Sequence, residues 1–351
     1  MNETNIKDES LRLSDLSPAE LAAALEIKPF QARQLFRWLH QKQVLDFAEM
    51  TDLSKAMREK LQARCAASCL TLLHMDQSPR TGTKKALLRL PDGESVESVL
   101  IRDRDRVTLC VSSQVGCALK CDFCATGMAG FTRNLTPGEI VEQALYLLRD
   151  EELGGRTPNI VYMGMGEPFR NYDAVMKSIH LLMEKEGLGI GARKITVSTA
   201  GEAPSIERFA QEDWQVRLSV SLHAANDTLR SKLVPLNRRY SLERLRQAIL
   251  EYQTRTDRQI TFEWTLLAGV NDRLEDVADL VRYMAGIRAT VNLIPWNPVA
   301  GLPYSPSSRE QCEIFRDALL MHGVTTTLRR EKGQDIDAAC GQLRRTRGMA
   351  V

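Results

Sequence analysis

The spacing of apolar and polar residues divides this chain into three stretches. Near the N-terminus, Ser17-Pro18-Ala19-Glu20 is a capping-box start with proline at the first helical position, and Leu21, Leu25 and Ile27 follow at helical spacing. A second helix is expected from Pro29, where Leu35, Trp38 and Leu39 form an apolar stripe while Arg33 and Arg37 lie on another face. Ser54 announces a third helix over 55–61. Between about 77 and 112 the period falls to two. Segments 84–90 and 94–101 flank the turn Pro91-Asp92-Gly93 and read as a hairpin, and the charged turn 102–106 leads into another strand. From 107 to about 330, strand-like runs at 107–111, 159–163, 194–198, 216–222, 260–267 and 290–294 alternate with amphipathic helices at 137–149, 173–184, 204–211, 242–252 and 274–284. A last helix, 308–321, precedes the short run 324–328. Such alternation predicts an α/β fold: a parallel sheet with helices outside, open or closed into a partial barrel, with its site at the carboxyl ends of the strands. The expected divisions are a helical module at 1–76, a β-hairpin extension at 77–106, the barrel at 107–330 and a tail at 331–351.

The most informative chemistry follows the strand at 107–111. Cys117, Cys121 and Cys124 form a Cys-x-x-x-Cys-x-x-Cys run set among glycines, so their sulfurs can fold toward one point. Structural zinc takes four protein ligands, and no histidine or further cysteine occurs in the next forty residues to complete a tetrahedron. Three thiolates on a cubane iron-sulfur cluster would leave one iron open for a small molecule. Ordinary buried cysteines are the plain alternative, but they have no reason to take this spacing.

Composition narrows the setting. A chain of 351 residues with 43% hydrophobic and 26% charged content can bury a large core. The opening ten residues are polar and no apolar run approaches a membrane span, so a cytoplasmic protein with no membrane contact is expected. A reducing compartment suits thiolate ligands, and eight cysteines spread over this length do not resemble a disulfide framework. The net charge of +2 says little about partners; any nucleic acid must be met by local patches. Segment 28–43 has no acidic residue, which fits either a phosphate-contacting surface or a solvated helix face.

Where the barrel strands end, the chain carries Gly164-Met165-Gly166-Glu167-Pro168, Ser198-Thr199-Ala200-Gly201, Ser221-Leu222-His223-Ala224 and Pro295-Trp296-Asn297-Pro298. Each is ordinary alone, since glycines and serines end many strands. Their coincidence at successive strand ends suggests a ligand, with Gly164 and Gly166 admitting it closely and Glu167, Ser198, Ser221, His223 and Asn297 hydrogen-bonding it. Glu97 is unusual in another way, because it shares a strand face with Val99 and Ile101. It is either edge-exposed or, buried near a reacting base, a proton acceptor. On spacing alone Cys110 is a strand residue and Cys340 a thiol in a loop that includes Gly333, Asp335 and Asp337, while Cys65, Cys69 and Cys312 read as packing residues.

The cysteine run resembles the signature of radical S-adenosylmethionine (SAM) enzymes. Together with Gly164 to Pro168, Ser221-Leu222-His223, Ile294 to Pro298 and Ile336 to Leu343, it resembles the RlmN/Cfr family of adenosine RNA methyltransferases, from the helical module to near the C-terminus. The resemblance implies a partial (β/α) barrel of six units with one [4Fe-4S] cluster on Cys117, Cys121 and Cys124, and SAM bound by Gly166, Glu167, Ser198, Ser221, Leu222, His223 and Asn297. It also implies roles for the remaining thiols: Cys340 as the S-methylcysteine carrier and Cys110 as the resolving thiol, with Glu97 as the proton acceptor and two SAM consumed per methyl delivered. Val115, Pro168 and Trp296-Asn297-Pro298 resemble the branch that methylates adenine carbon 2. Expected partners are 23S rRNA in its peptidyl-transferase region, tRNA at the adenosine 3′ of the anticodon, and a flavodoxin-type electron donor, with the chain acting as a monomer. The rival readings are a carbon-8 methyltransferase conferring antibiotic resistance, a radical SAM enzyme acting on a small molecule, and a non-catalytic iron-sulfur RNA-binding factor.

Overall fold

The computed structural model describes residues 11–149, 151–329 and 332–343. Residues 1–10, expected in the helical module, and 344–351, expected in the tail, lie outside the described residues. Its centre is one ten-stranded sheet: β1 (Thr71–Gln77), β2 (Lys84–Arg89), β3 (Ser95–Asp103), β4 (Arg106–Cys110), β5 (Asn159–Tyr162), β6 (Ile195–Thr199), β7 (Arg217–Ser221), β8 (Ile260–Leu266), β9 (Ala289–Pro295) and β10 (Thr326–Leu328) lie side by side in chain order. From β1 to β4 the pairing is antiparallel, and from β4 to β10 it is parallel. The hairpin extension and the barrel are therefore one continuous sheet. β1 lies within the stretch expected to belong to the helical module. Its polar run Thr71, His74, Asp76 and Gln77 hides the strand, because an edge strand need not bury a face.

Helices α4 (Pro137–Leu148), α5 (Tyr172–Met183), α6 (Ala203–Phe209), α7 (Leu242–Thr256), α8 (Leu274–Met284) and α9 (Arg309–Met321) fall between successive parallel strands. The strands follow a period-two rule that builds the site. In β8, Ile260, Phe262, Trp264 and Leu266 are buried on the helix side, while Glu263 and Thr265 face inward. The parallel registers carry the inner set across the sheet, from Ser221 to Glu263 to Asn292. Each large outward side chain stabilises the fold by about 1.5–3 kcal/mol on burial, leaving the interior free to be polar.

The N-terminal helices are α1 (Pro18–Leu25), α2 (Pro29–Phe36) and α3 (Lys55–Arg64), with the capping box at Ser17 and the Ser54 cap both formed. Past Phe36, α2 widens into a π-type turn through Gln41. Arg37 pairs with Glu186 of the barrel, 2.5 Å away, while Arg33 is exposed. Half of the expected basic pair is thus used to dock the module. No helix among the described residues is long and apolar enough to cross a membrane.

The module is joined to the barrel by buried polar groups on α4. The Glu142 carboxylate accepts from the backbone N–H groups of Cys69 (2.9 Å) and Leu70 (3.0 Å) and from the Ser68 hydroxyl (2.6 Å). One residue on, Gln143 accepts from Ser112 N (2.8 Å) and donates to its carbonyl (3.0 Å), fixing the chain just beyond β4. Because Glu142→Ala would strand buried N–H donors, we expect a loss of about 2–4 kcal/mol. The urea midpoint should fall and proteolysis between residues 65 and 71 should quicken; an unchanged midpoint would show that this seam contributes little.

Candidate active site

Beyond β4 the chain forms a small two-stranded unit, Gln114–Gly116 with Phe131–Asn134, and the cysteine loop fills the space between them. Gly116 has φ +75°, and a Cβ there would lie 1.8 Å from the Gly130 carbonyl oxygen, which accepts from Cys117 N at 2.8 Å. Only glycine fits that approach. Three distant elements then fix the loop. Asp122 N donates to Leu233 O (3.0 Å), Trp296 Nε1 donates to Phe123 O (2.9 Å), and the Tyr304 hydroxyl bonds the Asp122 carboxylate.

Cys117, Cys121 and Cys124 line one chamber of 170 Å³. No group of three or more His, Cys, Asp or Glu side chains among the described residues could hold a single metal ion. The thiols instead wall a cavity, and a set of soft sulfur donors with no fourth protein ligand fits an iron-sulfur cluster with one open iron. Burial pushes Cys117 up to about 12 and Cys121 well above its ordinary value, so loading would displace protons from thiols that are neutral when empty.

Gly166, Glu167, Ser198, Ser221 and His223 line the same chamber. At Gly166, φ is +102° and a Cβ would meet Gln114 Cβ at 2.6 Å. Glu167 is 3% exposed; its two carboxylate oxygens accept from Ala200 N (2.8 Å) and Phe169 N (3.1 Å). Burial pushes it up to about 7 despite those bonds. His223 Nδ1 accepts from Thr265 N at 3.0 Å, and burial pulls the ring down to about 3, so it is neutral with its proton on Nε2. Its ring meets Phe123 of the cysteine loop edge-on, centroids 4.7 Å apart. Leu222 does not reach the chamber: it is wholly buried and contributes its backbone, N donating to Glu263 O at 3.0 Å.

A second chamber of 130 Å³ adjoins the first, sharing Cys124, Thr126, Met163, Gly164, Ile294 and Cys340. Cys110, at the end of β4, and Cys340, on the tail, both line it. Burial pushes the Cys110 thiol up to about 12, and the charge of Cys340 bears on it as well. Burial pushes the Cys340 thiol above its ordinary value, and the Arg329 guanidinium, 3.9 Å from its Sγ, offsets part of that rise. Asn297 also belongs here rather than with the strand-end set: it donates to Cys340 O (3.2 Å) and accepts from Gln334 (2.8 Å). Glu97 lines neither chamber. It is 5% exposed on β3, and the register that places Val99 opposite Cys110 puts Glu97 on the same sheet face as that thiol. Cys69 and Cys312 are buried away from both chambers, in keeping with packing roles.

Several groups at the site are invisible to motif reading. Arg230, fully buried, donates to the carbonyls of Ala200 (2.6 Å), Leu222 (3.1 Å) and Ser221 (3.3 Å), binding the ends of β6 and β7 together. In sequence it sits in the polar run Arg230-Ser231-Lys232, which reads as solvent-facing. Glu263 did carry a signal, an acid within the apolar run Phe262-Glu263-Trp264, of the same kind that drew attention to Glu97.

The tail reaches the site through a few hydrogen bonds, so Asn297→Ala should release it. We expect faster backbone deuterium exchange at 338–343 with unchanged iron loading; unaltered exchange would mean that Asn297 does not hold the tail.

Comparison with known proteins places this architecture. A family model for the radical SAM superfamily matches residues 111–281, and one for the ribosomal RNA large subunit methyltransferase N-terminal domain matches 11–67. The dual-specificity RNA methyltransferase RlmN of Magnetococcus marinus is 47% identical over 318 residues, covering 90% of this chain and 89% of that protein. A probable dual-specificity RNA methyltransferase RlmN of Thermotoga neapolitana is 46% identical over 336 residues, covering 95% and 97%. The crystal structure of a radical SAM methyltransferase from Sphaerobacter thermophilus superposes with a TM-score of 0.92 at 47% identity, covering 95% of this chain and 99% of that one. With identity of this order sustained over both matched regions and nearly the whole length, the chain belongs to the RlmN family of radical SAM RNA methyltransferases.

Proposed function

We propose that this enzyme methylates carbon 2 of one adenosine in the peptidyl-transferase region of 23S rRNA and of the adenosine 3′ of the anticodon in tRNA. The observation that carries the reading is the second chamber, where two thiols outside the cluster run, Cys110 and Cys340, share a wall with the cysteine loop. A non-catalytic binding factor would need neither. The relatives' names, dual-specificity RNA methyltransferases, support two classes of RNA substrate. Val115, Pro168 and Trp296-Asn297-Pro298 favour carbon 2 over carbon 8.

Carbon 2 of adenine lies between two electron-withdrawing nitrogens and is a poor nucleophile, so direct attack on a sulfonium methyl is disfavoured. A [4Fe-4S] cluster on Cys117, Cys121 and Cys124, reduced by a flavodoxin-type donor, would supply the electron that cleaves SAM to methionine and a 5′-deoxyadenosyl radical. In this reading Gly166, Glu167, Ser198, Ser221 and His223 hold the SAM, with ionised Glu167 against its ammonium group and the Leu222 backbone supporting the wall. Asn297 acts on the carrier loop. Cys340 first takes a methyl group from one SAM as a thioether, Arg329 beside its sulfur offsetting part of the cost of the buried thiolate. The methyl then loses a hydrogen atom to the radical from a second SAM, and the carbon radical adds to carbon 2. Protein and RNA are joined at that stage. The adduct loses its ring proton to Glu97 and its unpaired electron, which the cluster would take back; the Cys110 thiolate then attacks the Cys340 sulfur, breaking the sulfur–carbon bond so that the released carbon takes up a proton as the new methyl group, and leaving a disulfide. Reduction of that disulfide by exchange with an external thiol readies the next cycle. Two SAM are consumed per methyl. The reading places the enzyme in the cytoplasm as a monomer.

Cys110→Ala removes the group that releases the product. Anaerobic turnover of this variant should accumulate a protein–RNA adduct joined through Cys340, seen as a shifted band and identified by mass spectrometry. Free methylated RNA at the native rate, with no adduct, would remove Cys110 from the resolving role.

A further inference from the structure

The face of the sheet that carries Cys110 continues outward past the barrel as a row of polar groups. The registers set Cys110 of β4 opposite Val99 of β3, Val99 opposite Lys85 of β2, and Lys85 opposite Asp76 of β1. Glu97 lies two residues from Val99 on this face, and its carboxylate is 3.4 Å from the Lys85 ammonium. Both side chains are sheltered, Lys85 11% and Glu97 7% exposed. Other charged or titratable groups on this face, among the described residues, are exposed Arg89 on β2; Asp76, 3.8 Å from Lys85, and His74, 2.9 Å from Asp76, on β1; and, at the far end, Asp103 of β3, which pairs with Arg106 of β4 and with Lys332 (2.9 Å each).

A proton acceptor must be ionised before the proton arrives, and burial works against that by favouring the neutral acid. An ammonium in contact restores the anion, and the fixed pairing across two hydrogen-bonded strands also fixes where the carboxylate points. We propose that Lys85 is a positioning residue: it holds Glu97 as an oriented anion on the face that carries Cys110, ready for the proton of the RNA adduct. This rests on the reading of Glu97 as the proton acceptor. Lys85 itself touches neither chamber and takes no part in forming the adduct. Its effect is confined to the step in which the adduct loses its proton.

The test follows the adduct by rapid quench in a single turnover of reconstituted enzyme, for native, Lys85→Met, Lys85→Gln, Lys85→Arg and Glu97→Gln proteins, across pH 6 to 9, a window of about three units around neutrality. In Lys85→Met the adduct should form at the native rate but resolve about tenfold or more slowly at neutral pH, recovering as pH rises and Glu97 ionises without help. Lys85→Arg should resolve it near the native rate, and Glu97→Gln should resolve it slowly at every pH. Native resolution by Lys85→Met alongside a slow Glu97→Gln would overturn the role of Lys85 alone. A slow Lys85→Met with no alkaline recovery would make Lys85 a structural residue, and so would failure of both Lys85→Met and Lys85→Gln to fold. Native resolution by Glu97→Gln would remove Glu97 as the acceptor, and this inference with it.

Discussion

The account depends on one contact between segments far apart in the chain: the tail closes directly onto the cysteine loop. Gly341 O accepts from Ala125 N at 2.9 Å, and Leu343 O accepts from the Thr126 hydroxyl at 2.5 Å. Ala125 and Thr126 directly follow Cys124, so these bonds place Cys340 at the edge of the chamber walled by the cluster cysteines. Further along, Lys332 reaches Asp103 (2.9 Å) and Asp335 accepts from Ser78 (2.9 Å), which ties the tail to the β1–β4 part of the sheet as well. Without this closure Cys110 and Cys340 would have no common cavity.

The two chambers divide the chemistry by polarity. The inner faces and carboxyl ends of β5 to β9 supply hydroxyls, the carboxylates of Glu167 and Glu263 and a neutral imidazole, suited to the several charges of an amino-acid nucleoside. Arg230 underlies them, its cation spread over three carbonyls at the strand ends. The second chamber is mostly apolar apart from its thiols, Arg329, Lys332 and Asn297, and this burial keeps the Cys110 thiol protonated.

Much of this is legible in the sequence because it is local. The cysteine spacing, the capping box at Ser17, the helix start at Ser54 and the period-two strands with polar ends all follow from short-range rules, and the structure follows them. What escapes is set by distant partners. β1 looks like a polar connection because edge strands need no apolar face. Arg230 looks solvent-facing because its acceptors lie on two other strands, and Arg37 looks free for RNA because Glu186 is 149 residues away. Asn297 ends a strand, and that its amide also bonds the tail is set by residues far along the chain. Glu97 could be singled out as an acid among apolar neighbours, but its pairing with Lys85 depends on strand register.

The central claim is that the two chambers together deliver a methyl group to adenine carbon 2. The most direct measurement reconstitutes the enzyme anaerobically with iron and sulfide, adds SAM, reductant and fragments of 23S rRNA or tRNA, and locates the new methyl by mass spectrometry of the nucleosides. The account predicts 2-methyladenosine, with two SAM consumed for each methyl placed. Methylation at carbon 8, or SAM cleavage with no methylated RNA, would contradict it.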